Sequence, residues 1–222
     1  MPETNERPTV TTSETTTATD ARLLVLHALR LTGFAGAERV ATATGLDEDT
    51  VGATLAAAAA DGHAAERTGR ISGWMLTEDG RATHVVLLAD ELARHDARAA
   101  VETADAAFLQ LNEPFKELCA RWQLRPDGSV NDHSDPAHDD AVVADLAPVH
   151  EQVVAITGRL AETLHRFGRY PRAFTAARDR LVAGDRTAFA KPLSESYHDA
   201  WMELHQDLLS TLGRERSAAD GH

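Results

Sequence analysis

Apolar residues recur at helical spacing near the start of the chain. Leu24, Ala28 and Leu31 lie on one face of a predicted helix that begins near Asp20. Before Asp20 the chain is rich in threonine, serine, glutamate and proline and shows no apolar periodicity. Such a segment cannot bury enough apolar surface to offset the entropy of ordering, so we expect residues 1–19 to form a disordered tail.

Two further helices are predicted next, separated by a glycine. The first covers residues 37–44 and consists mostly of small residues. The second covers residues 46–62, where Asp47 can cap the helix and Val51 and Leu55 supply a buried face. Two helices joined across a glycine-containing turn are typical of a helix-turn-helix.

The pattern changes from helix to hairpin after residue 62. Residues 63–77 predict a short strand, a glycine-bearing turn over residues 68–73, and a second strand that ends near Thr77. The order of elements is therefore helix, helix, helix, hairpin, which is the order of a winged helix-turn-helix.

The rest of the chain is predicted to be almost wholly helical. Pro114 indicates a helix restart, and residues 125–140 form a polar loop. Apolar residues recur every three or four positions within residues 82–93, 108–122, 142–164, 174–181 and 194–212. We therefore predict a mainly α fold with a small β-hairpin wing. It comprises a winged helix-turn-helix domain over residues 20–95 and an all-α domain over residues 96–222.

The N-terminal pattern resembles a known family. VATATGLDEDTVGATLAAAAADGHAAE (residues 40–66), followed by LTEDGR (residues 76–81), is similar to the winged-helix domain of the MarR-like transcriptional regulators. The resemblance covers about residues 23–92. It implies a homodimer that binds DNA through the winged helix and responds to a small-molecule effector in its C-terminal domain. A winged helix that serves only protein interaction is the alternative.

The charge of the chain restricts how it can bind DNA. There are 22 basic and 35 acidic residues, for a formal net charge of −13, which argues against broad affinity for nucleic acid. Glu48 and Asp49 lie at the start of the predicted recognition helix, where their negative charges would repel the DNA phosphates. A local patch must therefore carry the contact, and loss of DNA binding stays open as an alternative. The predicted DNA-binding residues are Arg39, Thr50, Thr54, Arg67 and Arg70.

Two histidines share an apolar face with aromatic residues on the last predicted helix. Such a face indicates either core packing or a pocket with a few oriented polar groups. Residues 165–191 add six arginines and one lysine against two aspartates, which favours either an anionic, partly aromatic ligand or internal ion pairs. The predicted ligand-binding residues are Trp122, Arg169, Tyr197, His198, Trp201 and His205.

Direct signals for catalysis or metal binding are weak. The loop residues Asp132, His133, Asp135, His138 and Asp139 match neither zinc nor calcium spacing, and a solvated turn explains them equally well. We predict no metal and no cofactor. If the chain is an enzyme, its predicted chemistry is cofactor-free acid–base catalysis by His198 or His205 with Asp135 or His133.

Cellular location follows from simple sequence features. Cys119 has no other cysteine to pair with in the chain, no apolar run is long enough for a membrane span, and no signal-peptide pattern opens the sequence. We therefore expect a cytoplasmic protein without membrane contact. The predicted function is a dimeric, effector-responsive transcriptional regulator. The alternative is a winged-helix scaffold that has lost DNA binding and uses the His198, Trp201 and His205 pocket to bind or transform a small molecule.

Overall fold

The computed structural model of the chain describes residues 12–214, with side chains from residue 21 onward. These residues are mainly helical and contain one two-stranded antiparallel sheet, which confirms a mainly α fold with a β-hairpin. Helix α1 spans Thr12–Thr32 and so begins within the segment predicted as a tail. Residues 1–11 of that tail lie outside the described part of the chain.

The elements that follow are one hairpin and helices of very different lengths. After α1 come α2 (Ala37–Thr44), α3 (Glu48–Ala60), β1 (Ala64–Arg67), β2 (Gly73–Leu76) and α4 (Glu78–Arg94). The next are α5 (Arg98–Gln123), α6 (Pro136–Asp145) and α7 (Ala147–Thr163). The last are a 3-10 helix (His165–Gly168), α8 (Arg169–Val182), α9 (Thr187–Ala190) and α10 (Tyr197–Thr211).

The chain divides into two compact units, one up to His84 and one from Val85 onward. The division falls inside α4, whereas the sequence predicts a boundary between residues 95 and 96. Periodicity along one helix carries no information about which neighbours each turn contacts, so a boundary inside a continuous helix is invisible to it.

In the first unit, α3 begins where the sequence predicts. The Asp47 carboxylate accepts a hydrogen bond of 2.8 Å from the Thr50 backbone N–H, and the acidic first turn suits the positive end of the helix dipole. Val51 and Leu55 are fully buried, together with Leu26 of α1. The apolar faces of α1 and α3 thus supply the core of this unit.

The hairpin makes close backbone contacts with neighbouring segments at two positions. Ala35, between α1 and α2, forms an isolated antiparallel bridge with Trp74 of β2. At the start of α4, a Cβ on Gly80 would lie 1.8 Å from the His63 carbonyl oxygen, so only glycine fits there. The close approach of these two backbones holds the hairpin against the start of α4.

The second unit is a helical bundle around an aromatic core. Helix α5 packs against α7 and α10, and α7 also packs against α8. Phe108, Phe115 and Trp122 of α5 lie in this core with Trp201 of α10. The predicted restart at Pro114 is wrong, because α5 runs through it as one helix. Packing of the buried α5 face on two neighbouring helices offsets the backbone hydrogen bond that proline cannot make.

Helix α10 is held by its cap and by a buried ion network. Ser196 and Asp199 form a capping box at its start. Near its end, Asp207 is bonded to the buried guanidinium of Arg166, which also donates to Glu91 at 2.8 Å. Tyr170 donates its hydroxyl to Asp207 at 2.7 Å. These contacts fix the rotation of α10 and hence which of its side chains reach the surface.

Candidate ligand groove and nucleic-acid surface

The start of α3 offers an acidic and sparsely polar surface. Glu48 and Asp49 are exposed, and Gly52 and Ala53 follow them on the outside of the helix. The Thr50 hydroxyl donates to the Asp47 carboxylate at 2.8 Å, and the Thr54 hydroxyl donates to the Thr50 carbonyl at 2.7 Å. The hydroxyl protons of Thr50 and Thr54, two of the predicted DNA-binding residues, are therefore already donated to groups of the same helix and its cap.

The wing carries two exposed arginines of the first unit. Arg67 ends β1 and Arg70 lies in the loop between the strands, and both side chains are exposed. Ile71, beside them at the tip, is 72% exposed. Arg39 is half-buried on α2. Of the predicted DNA-binding residues, the two wing arginines are therefore the most accessible.

A groove of about 310 Å³ lies between α5 and α10 in the second unit. It contains three of the predicted ligand residues, His198, Trp201 and His205, which lie one helical turn apart. The α5 residues that line the groove were not predicted as ligand residues. Their spacing of three to four positions is the signal that could have shown that they share one helix face. They are Asn112, Phe115, Lys116, Cys119, Ala120 and Gln123.

The interior of this groove is apolar and neutral. Trp201 stacks on Phe115 with ring centroids 4.1 Å apart and donates its indole N–H to the Asn112 side chain at 2.9 Å. Burial lowers the pKa of His198, and the neighbouring Asp199 raises it only in part, so the imidazole is neutral at pH 7. Burial also raises the pKa of the Cys119 thiol to about 12, so this group is protonated.

The other three predicted ligand residues lie elsewhere in the second unit. Trp122 is buried and stacks on Phe189 with ring centroids 4.5 Å apart. Tyr197 is fully buried, and burial raises the pKa of its hydroxyl well above its usual value. Arg169 forms an ion pair with Glu203. Of the six predicted ligand residues, His198, Trp201 and His205 line the α5/α10 groove and the other three are not among its lining residues.

Four arginines of the basic segment, residues 165–191, form ion pairs with carboxylates of the same unit. Arg166 pairs with Glu91 and Asp207, and Arg169 pairs with Glu203. The two remaining pairs are Arg180 with Asp185 and Arg186 with Asp139. Internal pairing, the second of the two predicted explanations, thus accounts for these four arginines.

The polar loop before α6 is organised around Asp139. The sequence had suggested this residue only as a possible metal ligand. Its buried carboxylate accepts hydrogen bonds from Asn131 at 2.9 Å, His133 at 3.1 Å and Arg186 at 2.7 Å. His133 has a positive φ of 59°, an uncommon conformation for a residue other than glycine. Asp135 instead caps α6.

Neither a metal site nor the predicted acid–base group is assembled among residues 21–214. No cluster of three or more histidine, cysteine or acidic side chains there could hold a metal ion. His198 and His205 line the α5/α10 groove, whereas His133 and Asp135 are not among its lining residues. Reasoning from residue type grouped these four side chains, but they do not share a cavity.

A second groove, of about 360 Å³, lies between α5 and α7. Its walls are mostly alanine, isoleucine and leucine, and Arg159 is its one charged lining residue. It contains none of the predicted ligand residues. The groove between α5 and α10 therefore has the richer chemistry.

Comparison with protein-family models, with curated proteins and with solved structures finds no match to this chain. The MarR-like resemblance therefore stays a prediction from the sequence. Within the described residues, no helix has both the length and the apolar character needed to cross a membrane.

Proposed function

We propose that this chain is a cytoplasmic winged-helix transcriptional regulator of the MarR-like kind, which binds DNA as a homodimer and senses a small molecule through its helical unit. The order of elements from α1 to α4 supports the winged-helix interpretation, as does the bridge from Ala35 to the second hairpin strand at Trp74. That bridge adds a third extended segment beside the hairpin. The α5/α10 groove is the proposed sensor.

The observation that carries the proposal is the exposed pair of arginines on the hairpin, Arg67 and Arg70. Arginine enters a narrow minor groove readily and also binds phosphate. Because α3 presents Glu48 and Asp49, the wing must supply the attraction that a recognition helix usually shares. Such binding is weak and strongly dependent on salt.

Salt-dependent binding to the DNA upstream of the chain's own gene tests this proposal. Fluorescence anisotropy between 50 and 200 mM salt should show binding that Arg67→Ala/Arg70→Ala abolishes or greatly weakens. Each phosphate contact contributes about −0.9 to the slope of log affinity against log salt. With two wings in a dimer, the double variant should flatten the slope by about 3 to 4.

A charge-matched control separates the wing from general electrostatics. Arg159 and Arg172 are exposed on helices of the second unit, so Arg159→Ala/Arg172→Ala removes the same charge elsewhere and should leave affinity nearly unchanged. Equal losses in both double variants, or no binding by the native chain at 50 mM salt, would refute wing-dependent recognition.

A change on α3 tests the electrostatics of the proposed interface. If DNA passes across α3, then Glu48→Gln/Asp49→Asn removes repulsion and tightens binding severalfold. If Glu48→Gln/Asp49→Asn leaves the affinity for DNA unchanged while Arg67→Ala/Arg70→Ala abolishes binding, then DNA does not contact the start of α3.

A second candidate function follows from α3 itself. Its outward side is acidic at Glu48 and Asp49, and the hydroxyls of Thr50 and Thr54 are used within the helix. These features favour a winged-helix scaffold that has lost DNA binding and acts through the α5/α10 groove as a small-molecule-binding protein. Absence of DNA binding together with ligand binding would identify this alternative.

A further inference from the structure

His198 is a polar group of the α5/α10 groove with unused hydrogen-bonding capacity. Its ring packs beside Phe115 with centroids 6.2 Å apart, and among the described residues neither ring nitrogen has a hydrogen-bond partner. A neutral imidazole carries one donor and one acceptor. Because the two nitrogens point in different directions, the edge of a flat ligand in the groove can reach only one of them, as donor or as acceptor.

Charged ligands are poorly served by the same walls. The Lys116 ammonium at the rim is already paired with Glu113 at 2.8 Å. The Cys119 thiol is protonated, and no acidic residue lines the groove. Burying an ammonium ion here would leave its charge without a partner, and a carboxylate would have to draw Lys116 away from Glu113; both are costly.

Size and wall chemistry restrict the ligand further. Phe115, Trp201 and Met202 provide aromatic and thioether surface, and thioethers and ring edges pack well against flat aromatic groups. A volume of about 310 Å³ is at the small end of ligand pockets. It suits a small fused-ring molecule better than a peptide or a long lipid.

We propose that the α5/α10 groove binds an uncharged, planar heteroaromatic molecule whose ring edge forms one hydrogen bond with His198. This inference rests on the sensing half of the proposed function and names the ligand class for that site. It does not depend on DNA binding, and it also fits the alternative in which DNA binding is lost.

Calorimetry with the full chain and no DNA tests the ligand class. Three probes of similar shape are titrated at pH 8: benzimidazole, benzimidazole-5-carboxylate and naphthalene. Benzimidazole should bind about threefold to tenfold more tightly than either of the others, because only it is both neutral and able to hydrogen-bond to His198. Tighter binding of the carboxylate, or equal binding of naphthalene, would overturn the assignment, as would no binding of any probe.

Variants test the role of His198. His198→Ala should weaken benzimidazole binding by about twofold to tenfold, the range for one lost hydrogen bond, and His198→Gln should recover part of this loss. His165→Ala is the matched control, since His165 is exposed on the 3-10 helix outside the groove. Unchanged affinity in a folded His198→Ala protein would refute the proposed contact.

A direct readout keeps the proposal testable if His198→Ala fails to fold. In the native chain, benzimidazole should shift the NMR signals of the His198 ring, assigned by their absence from His198→Gln, and leave those of His165 in place. If benzimidazole binds as expected but DNA does not bind, the proposed regulator function is refuted and the proposed ligand class is kept. If DNA binds but none of the probes binds, the proposed ligand class is refuted and the proposed DNA binding is kept.

Discussion

Replacing Arg166 with methionine should destabilise the helical unit more than any exposed ion-pair change. The Arg166 guanidinium is buried between the carboxylates of Glu91 and Asp207, and it also donates to Thr211 at 2.6 Å. Methionine keeps much of the side-chain volume but removes the cation. The buried carboxylates of Glu91 and Asp207 then lose the guanidinium that they share, and Asp207 keeps its Coulombic interaction with Arg169.

The size of the effect follows from burial. Removing one partner from a buried ion pair costs about 3–5 kcal/mol. The Arg166 and Asp207 side chains are 4% and 2% exposed, whereas Glu91 is 12% exposed and partly screened by water. We therefore expect a loss of about 3–4 kcal/mol from the free energy of unfolding at pH 7.

Urea unfolding, followed by tryptophan fluorescence and circular dichroism, measures this loss as a shift in midpoint at constant m value. Arg98→Met is the control, because Arg98 and Glu102 are both largely exposed and such a pair contributes about 0.3–0.5 kcal/mol. The triple variant Arg166→Met/Glu91→Gln/Asp207→Asn should recover most of the stability. If Arg166→Met costs no more than Arg98→Met, or the triple variant recovers nothing, then the buried charges do not cause the effect.

Three smaller predictions concern other parts of the chain. Burial raises the pKa of Asp139, but hydrogen bonds from Asn131, His133 and Arg186 lower it more. The ionised carboxylate therefore stabilises the folded state above the ordinary pKa of 3.8, and this contribution is lost as the pH falls through the lower pKa of the folded state. Asp139→Asn should cost about 2 kcal/mol at pH 7, and urea unfolding should show this cost shrinking below pH 3.8. Alkylation of Cys119 by iodoacetamide at pH 8 should be about a thousandfold slower than that of an ordinary thiol, because burial raises its pKa from 9.0 to about 12; mass spectrometry showing a normal rate would contradict this. Asp47→Ala should lower the stability of the first unit by about 1 kcal/mol through loss of the α3 cap, and a thermal melt identical to that of the native chain would argue against the cap.

Local patterns in the sequence were sufficient for most of the elements. The cap at Asp47, the glycine-bearing hairpin and the long apolar stripes depend on contacts a few residues apart, which periodicity reports directly. Exposure of Arg67 and Arg70 followed from their position in a short turn. The acidic start of α3 was equally plain, since charge does not depend on folding.

Interactions between distant residues could not be predicted in this way. Arg166 reaches Glu91 and Asp207 across 75 and 41 positions, and one arginine in an acidic chain has many potential partners. Pro114 suggested a break that packing on two neighbouring helices overrides. Local propensity is weaker than the burial of a whole helix face, so it yields where the two disagree.

The candidate site shows the same division. The sequence alone determined that His198, Trp201 and His205 share one side of a helix with Tyr197, because residues three or four apart always do. Only the tertiary structure decided that Tyr197 lies in the core while the other three line a groove with α5. The rotation of α10 is set by the buried Arg166 network and by the shapes of the facing helices, and those depend on residues far away in the chain.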